Sequence, residues 1–256
     1  MRAAEMRELG ERLADAWRSG RKLGGLPVSL VPETAEEAYA AQRALVERLA
    51  PVFGPIVGWK VGAAGSDALP NAAPLFADLV QPAPARFAAS RLRLRGLEAE
   101  LAFRFGHALP PRAEPYGEAD VAGAVHSLHA AIEIVECRTD DRDATPALAR
   151  LADNQNNGAF CFGAPFTGDW RQVDYLHQKV VLSIDGRPAA EAVGGNAAGH
   201  PMRLLVWLAN HAARQGRGIA AGDIVTTGSH IRPVFNHHAR AVLAQFPGLS
   251  EASLDF

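Results

Sequence analysis

Glu98 and Glu100 in "GLEAELAFRF", Glu133 in "HAAIEIVECR" and Lys60 in "GWKVG" are the residues whose types and surroundings could do chemistry. The Glu-x-Glu pair lies in an alternating, strand-like run, so both side chains leave the same face. Leu97, Ala99, Leu101, Phe103 and Phe105 fall on the other face, which reads as core. Two carboxylates pointing together repel unless a cation or a proton lies between them. Taken alone, the pair also fits a solvated strand face, since charged residues are mostly exposed. Glu133 weighs against that. Ala130, Ala131 and Ile132 precede it and Ile134 and Val135 follow, and burying an unpaired carboxylate is costly. Three such carboxylates match the hard oxygen shell of Mg²⁺ or Mn²⁺, with positions left for water and substrate. The expected partner of Glu133 is therefore a divalent metal shared with Glu98 and Glu100. Lys60, among Val57, Trp59 and Val61, reads either as a snorkelling edge residue or as a buried acid or base of movable pKa.

These residues must be carried by particular elements. Ala3, Met6, Leu9, Leu13 and Trp17 recur at helical spacing, which predicts an amphipathic helix over 3–19. "PETAEEAYAAQRALVERLAP" predicts a second, with Thr34 as N-cap, Glu37 completing a capping box and Pro51 ending it. The glycine-punctuated "GPIVGWKVGAAG" suits a strand, and the Pro- and Ala-rich stretch after it an irregular loop with short extended pieces. Strand alternation then dominates. The "EPYGEADVAGAVHSLHA" and "HPMRLLVWLANHAARQGRGI" helices interrupt it, and the Asp-Gly of "KVVLSIDGRPAAEAVGG" marks a hairpin. Helices first and strands after give an α+β fold class, with an N-terminal helical region over 1–55 and a β-rich catalytic domain over 56–256, forming one compact unit.

The chain has 256 residues and a formal net charge of -2, which gives no general pull towards nucleic acid or acidic membranes. No stretch approaches the ~20 apolar residues of a membrane span. The N-terminus has no apolar targeting core, so a cytoplasmic protein is expected. Cys137 and Cys161 read as buried free thiols. His230, His237 and His238 lack the helical spacing or cysteine partners of a zinc site.

"AYAAQ" (38–42), "GWKVG" (58–62), "LEAELAF" (97–103), "AIEIVECR" (131–138), "ADNQNNG" (152–158), "HPMRLLVWLAN" (200–210) and "AGDIVTTGS" (221–229) follow one another in order. Together they resemble the 2-keto-4-pentenoate hydratase / 4-oxalocrotonate decarboxylase family of the fumarylacetoacetate hydrolase superfamily, from about Ala38 to the C-terminus. The resemblance implies N-terminal helices followed by a mixed β-roll core. It also implies a divalent metal on Glu98, Glu100 and Glu133, and an active-site lysine at Lys60 with Asp78 of "FADLV" as its proton-transfer partner. Gly228, Ser229 and Asn154 would contact the substrate, and a homo-oligomer is expected, with a related decarboxylase or hydratase as a further partner. Ala63-Ala64-Gly65, where the family usually has Leu-Thr-Ser, and Glu136-Cys137, where it has Asp-Ser, bear on the substrate more than on the chemistry.

The implied reaction is hydration of a 2-hydroxy-2,4-dienoate to a 4-hydroxy-2-oxo acid, with decarboxylation of a 4-oxalocrotonate-type acid as the alternative. Acylpyruvate C–C hydrolysis is disfavoured because no histidine precedes Lys60, and a non-catalytic partner because the metal residues are complete. The segment after Lys60, "VGAAGSDALPNAAPLFADLV", holds no lysine or arginine, which favours a neutral substrate tail. Arg138 or Arg232 could reach in from elsewhere in the chain, and any arginine or lysine opposite the metal would reverse the preference in favour of the decarboxylase.

Overall fold

The computed structural model describes residues 2–256. In chain order the elements are α1 (Ala3–Ser19), α2 (Ala35–Phe53), β1 (Ile56–Gly62), β2 (Asn71–Phe76), β3 (Val80–Pro82), β4 (Ala85–Arg86), β5 (Gly96–Phe105), α3 (Glu118–Ala124), β6 (Val125–Val135), α4 (Ala147–Ala152), β7 (Asn157–Pro165), β8 (Lys179–Ile184), β9 (Arg187–Val193), α5 (Pro201–Arg214), β10 (Ile224–Ser229), β11 (Val234–Phe235), β12 (Ala241–Phe246) and β13 (Ser250–Asp255). The fold is α+β, and its strands form two sheets. One runs β2-β1-β10-β5-β6-β7-β3 with β11 on the edge of β5, and the other β4-β13-β12-β8-β9. The face of β5 expected to be core is core: Leu97, Ala99, Leu101, Phe103 and Phe105 are all buried between the sheets and α5. No helix among the described residues is long and apolar enough to cross a membrane.

The apolar stripe of α1 (Met6, Leu9, Leu13) packs on Leu45 and Leu49 of α2, and Phe76 and Leu151 join the same cluster. Gly10 allows the close approach, since a Cβ there would lie 2.3 Å from the Ala41 carbonyl. Thr34 caps α2 by accepting from the Glu37 N–H at 3.2 Å. The capping box is not completed, however: Glu37 accepts instead from the Glu33 N–H at 3.0 Å and pairs with Arg2 at 2.8 Å, because a guanidinium offers a stronger partner than a lone amide. Nor does Pro51 end the helix. It sits inside the last turn on the exposed side, and Gly54 follows as C-cap.

The "SIDGRP" hairpin turns through Asp185 and Gly186, both with positive φ as a tight two-residue turn requires. β6 begins at Val125, before the expected strand, and ends at Val135, so Glu136, Cys137 and Arg138 lie beyond it. The Pro- and Ala-rich stretch holds a full strand, β2, antiparallel to β1 with Asn71 opposite Gly62 and Phe76 opposite Ile56. Cys137 and Cys161 are buried and unpaired.

Candidate active site

Register brings the glutamates together. β5 and β6 are antiparallel with Glu98 directly opposite Glu133 and Glu100 opposite Ala131. Directly paired side chains have Cβ atoms only about 5 Å apart, and like charges there repel. The three carboxylates reach one point, with one ligand atom from each all within 4.8 Å of one another. Among the described residues this is the only group of three or more such side chains close enough to hold an ion.

Lys60 arrives from further off. Between β1 and β6 stand β10 and β5, so a flat sheet would separate Lys60 from Glu133 by about 14 Å. Instead Lys60 Nζ donates to Glu133 Oε1 at 2.5 Å and to the Gln155 carbonyl at 3.1 Å. Only a strongly curled sheet allows this, with its concave face enclosing the site. Gly58 lets β1 and β10 lie close, a Cβ there falling 2.1 Å from the Ile224 carbonyl.

Asn157, first residue of β7, donates to the same Glu133 oxygen at 3.0 Å, and Thr226 of β10 donates to Glu100. Glu133 Oε2 is buried and has no hydrogen-bond partner, which leaves this oxygen available to a cation. Burial, then the charge of Glu133, pushes the Glu98 carboxyl up to about 7. Burial, with Glu133 and Glu98, holds Glu100 well above the usual carboxylate range. For Lys60 burial pulls the other way, but Glu133, Glu98 and Glu100 outweigh it and keep the ammonium charged. All-oxygen donors of this charge and spacing fit a hard divalent cation.

These groups line a cavity of about 410 Å³ that also includes Gly228 and Ser229. Gly228 has φ +89 and lies where the pairing of β10 with β5 slips, so the chain bulges and turns its backbone towards the cavity. Asn154 is in the neighbouring turn but does not line the cavity; it is buried, donating to the Pro74 carbonyl at 3.0 Å. Its successor Gln155 supplies the carbonyl that meets Lys60. Asp78 is not brought to Lys60. It lies exposed just beyond β2, on a separate cavity with Trp17, Phe53 and Arg91. The antiparallel register explains this: Asn71 is at the cavity end of β2, and Asp78 is at the far end of the strand pair, past Ile56.

The wall is not free of cations. The segment after Lys60 contributes Ala63 and Ala64, as its composition suggested, but Arg142 and Arg150 line the cavity too. Neither arginine named from the sequence reaches it. Arg232 is exposed. Arg138 is buried, bonding to Asp153 at 2.6 Å and to the carbonyls of Asn157 and Asp153 at 2.7 Å each, and stacking on Trp17. It clamps the "ADNQNN" turn from behind. His237 and His238 are exposed, while burial holds buried His230 neutral with its pKa pushed down to about 4.

Sequence reasoning missed Thr226, Asn157, Gln155, Asn71, Arg142 and Arg150. The first three lay within motifs already singled out, and pairing each motif residue with its neighbouring strand would have found Thr226 and Asn157. The arginines sit in an aperiodic segment that carries no such signal.

No family model matches the chain. It is 30% identical over 230 residues to 2-hydroxyhexa-2,4-dienoate hydratase of Comamonas testosteroni, covering 86% of this chain and 85% of that one. Identity to 2-keto-4-pentenoate hydratase of Paraburkholderia xenovorans is 27% over 237 residues, 90% and 86% of the two chains. The fold matches 4-oxalocrotonate decarboxylase from Pseudomonas putida G7, solved with magnesium and adipate, with TM-score 0.83 at 23% identity over 99% and 97% of the chains. With this spacing of motifs on this fold, the chain belongs to the 2-keto-4-pentenoate hydratase / 4-oxalocrotonate decarboxylase family.

Proposed function

We propose that the protein is a divalent-metal-dependent hydratase that converts a 2-hydroxy-2,4-dienoate to a 4-hydroxy-2-oxo acid. The observation that carries this is the convergence of Glu98, Glu100 and Glu133 beside the charged Lys60 in one cavity. The kinship to named dienoate hydratases supports hydration as the reaction. Glu98, Glu100 and Glu133 would hold Mg²⁺ or Mn²⁺. Bound there, such a cation supplies Lewis-acid stabilisation of negative charge on the substrate's 2-oxygen.

The chain's own groups do the rest. The dienol ketonises by losing its hydroxyl proton and gaining one at C5; water then adds its oxygen at C4 and a proton at C3. Lys60 is the proton-carrying group of the cavity, its ammonium aimed by the Gln155 carbonyl and Glu133. Asn157 fixes the Glu133 carboxylate that receives Lys60. The backbone at Gly228, turned towards the cavity, and Ser229 after it would seat the substrate carboxylate.

Arg142 and Arg150 on the wall favour decarboxylation as the second reading, since a substrate that loses CO₂ brings a second carboxylate. Product analysis separates the two. The enzyme is given 2-hydroxypenta-2,4-dienoate and 4-oxalocrotonate, each with Mg²⁺ and with chelator. Metal-dependent formation of the 4-hydroxy-2-oxo acid is expected. CO₂ release from 4-oxalocrotonate faster than any hydration would overturn it.

A further inference from the structure

The bulge that carries Gly228 is held by a side chain from outside the cavity. β10 passes from Thr226 opposite Ala102 to Ser229 opposite Glu100, so Thr227 and Gly228 together face Leu101. The registered pairing with β1 ends at Thr226. Asn196, in the connection between β9 and α5, donates from Nδ2 to the Thr227 carbonyl at 2.9 Å and to the Gly228 carbonyl at 3.4 Å. Its Oδ1 accepts from the Ala198 N–H at 2.9 Å, which settles which end of the amide faces the bulge. Gly195 brings the connection in close, since a Cβ there would lie 1.9 Å from the His230 carbonyl.

Peptide geometry then sets where the N–H groups go. The peptide bonds of the bulge are trans, so each N–H points opposite to the carbonyl of the same peptide. Carbonyls of Thr227 and Gly228 turned to Asn196 therefore turn the N–H groups of Gly228 and Ser229 away from it. Gly228 and Ser229 line the cavity and Asn196 does not. The positive φ of Gly228, +89, permits successive N–H groups on one side of the chain, an arrangement that receives an anion. The Ser229 hydroxyl is occupied elsewhere, donating to the Ile231 carbonyl at 2.8 Å, so the donors at this point are backbone ones.

We infer that Asn196 is a positioning residue for substrate binding: by holding the Thr227 and Gly228 carbonyls behind the bulge, it presents the Gly228 and Ser229 N–H groups to the cavity as the seat of the substrate's C1 carboxylate. The inference rests on the reading of the site as one for 2-hydroxydienoates, which supplies that carboxylate. Asn196 acts through the backbone, not on the substrate. Backbone donors to a carboxylate make charge-assisted hydrogen bonds, and water addition leaves that carboxylate untouched. The binding that Asn196 supports is thus shared by ground state and transition state, so it lowers KM without raising kcat.

The test uses Asn196→Ser, whose hydroxyl still accepts from the Ala198 N–H but is too short to reach the carbonyls, and Asn196→Ala, which does neither. Titration calorimetry with Mg²⁺ present measures binding of 2-oxopentanoate and of 2-oxopentanamide, which differ at C1 as anion and neutral amide. Each variant should lose about tenfold in affinity for the acid and less than about threefold for the amide. With 2-hydroxypenta-2,4-dienoate, KM should rise about tenfold while kcat and Mg²⁺ affinity stay within about twofold. Equal losses for acid and amide overturn the inference. So does a kcat or Mg²⁺ affinity that falls as far as the acid affinity, which would make Asn196 a support of the fold alone. Where Asn196→Ala lowers the melting temperature too far for titration, Asn196→Ser decides, and unchanged acid affinity in it overturns the inference. Product formation by the natural protein is scored separately. An acid-specific loss in a protein that makes no 4-hydroxy-2-oxo acid fails the hydratase reading and keeps the Asn196 assignment, and hydration with an unchanged KM in the variants does the reverse.

Discussion

Cation binding to the three glutamates should be steeply pH-dependent across a neutral range in which ordinary carboxylates, already ionised, would give no dependence. A cation needs Glu98, Glu100 and Glu133 ionised, yet burial and mutual repulsion raise Glu98 from 4.5 to about 7 and Glu100 well above its usual range. Protons therefore compete for the site well into the neutral range. With Glu98 titrating at about 7, it is nearly all protonated at pH 5 and about nine-tenths ionised at pH 8. Integrating one released proton over that window raises cation affinity about hundredfold, roughly 2.7 kcal/mol. Glu100 adds to this in the same direction, so more than about half a proton should be released per cation bound near pH 7.

The matching stability effect needs its sign worked out. A carboxyl whose pKa is raised in the folded state stabilises it below pH 4.5, and that contribution is lost as pH rises through about 7. His211 and His230, whose pKa values burial pushes down to about 4, do the opposite: stability is lost as pH falls from about 6.5 through 4. The two effects overlap, so the melting temperature of cation-free protein cannot isolate the glutamates. The difference between cation-loaded and chelated protein can, since the histidines contribute to both. That difference should widen from pH 5 to 8. The assay is titration with Mg²⁺ or Mn²⁺ across this range, repeated in buffers of different ionisation enthalpy to count protons. An affinity that changes less than about tenfold, or binding without proton release, would refute the cluster's assignment as a strained, cation-ready site.

Glu133→Gln should weaken cation binding by more than about hundredfold with an unchanged far-ultraviolet spectrum, because Glu98 and Glu100 remain to face Lys60. Lys60→Met should lower turnover by about 10² to 10⁴ without lowering cation affinity, since the ammonium now occupies Glu133; equal loss of both would make Lys60 structural. Gly58→Ala should cost at least about 2 kcal/mol in denaturant unfolding, as its Cβ would meet the Ile224 carbonyl at 2.1 Å and push β1 off β10.

What could be read from the sequence was local. Alternation at Leu97–Phe105 showed which face of β5 is core, and Asp185-Gly186 located the hairpin, because both signals are written within a few residues. Pairing is not local. Lys60 and Glu133 are 73 residues apart and meet because β10, far downstream in the chain, joins β1 to β5 in one curled sheet. Asp78 was named from the family resemblance, as the acidic residue in the segment after Lys60, and the antiparallel register sent it to the other end of the strand pair while bringing in Asn71.

The turn after α4 shows the same limit at the backbone level. Asn154, Gln155 and Asn156 all have positive φ, 52, 51 and 56, a run that costs L-residues about 1–2 kcal/mol each and is eased only partly by asparagine. No glycine marks it, so no pattern announces it. The stabilising groups lie elsewhere: Arg138 and Asp153 clamp the turn beneath Trp17 of α1, and Asn154 is tied to Pro74 of β2. The left-handed run is what directs the Gln155 carbonyl at Lys60 and lets Asn157 start β7 within reach of Glu133. The N-terminal helices thus bear on the chemistry without touching it, through the arginine that holds this turn in place.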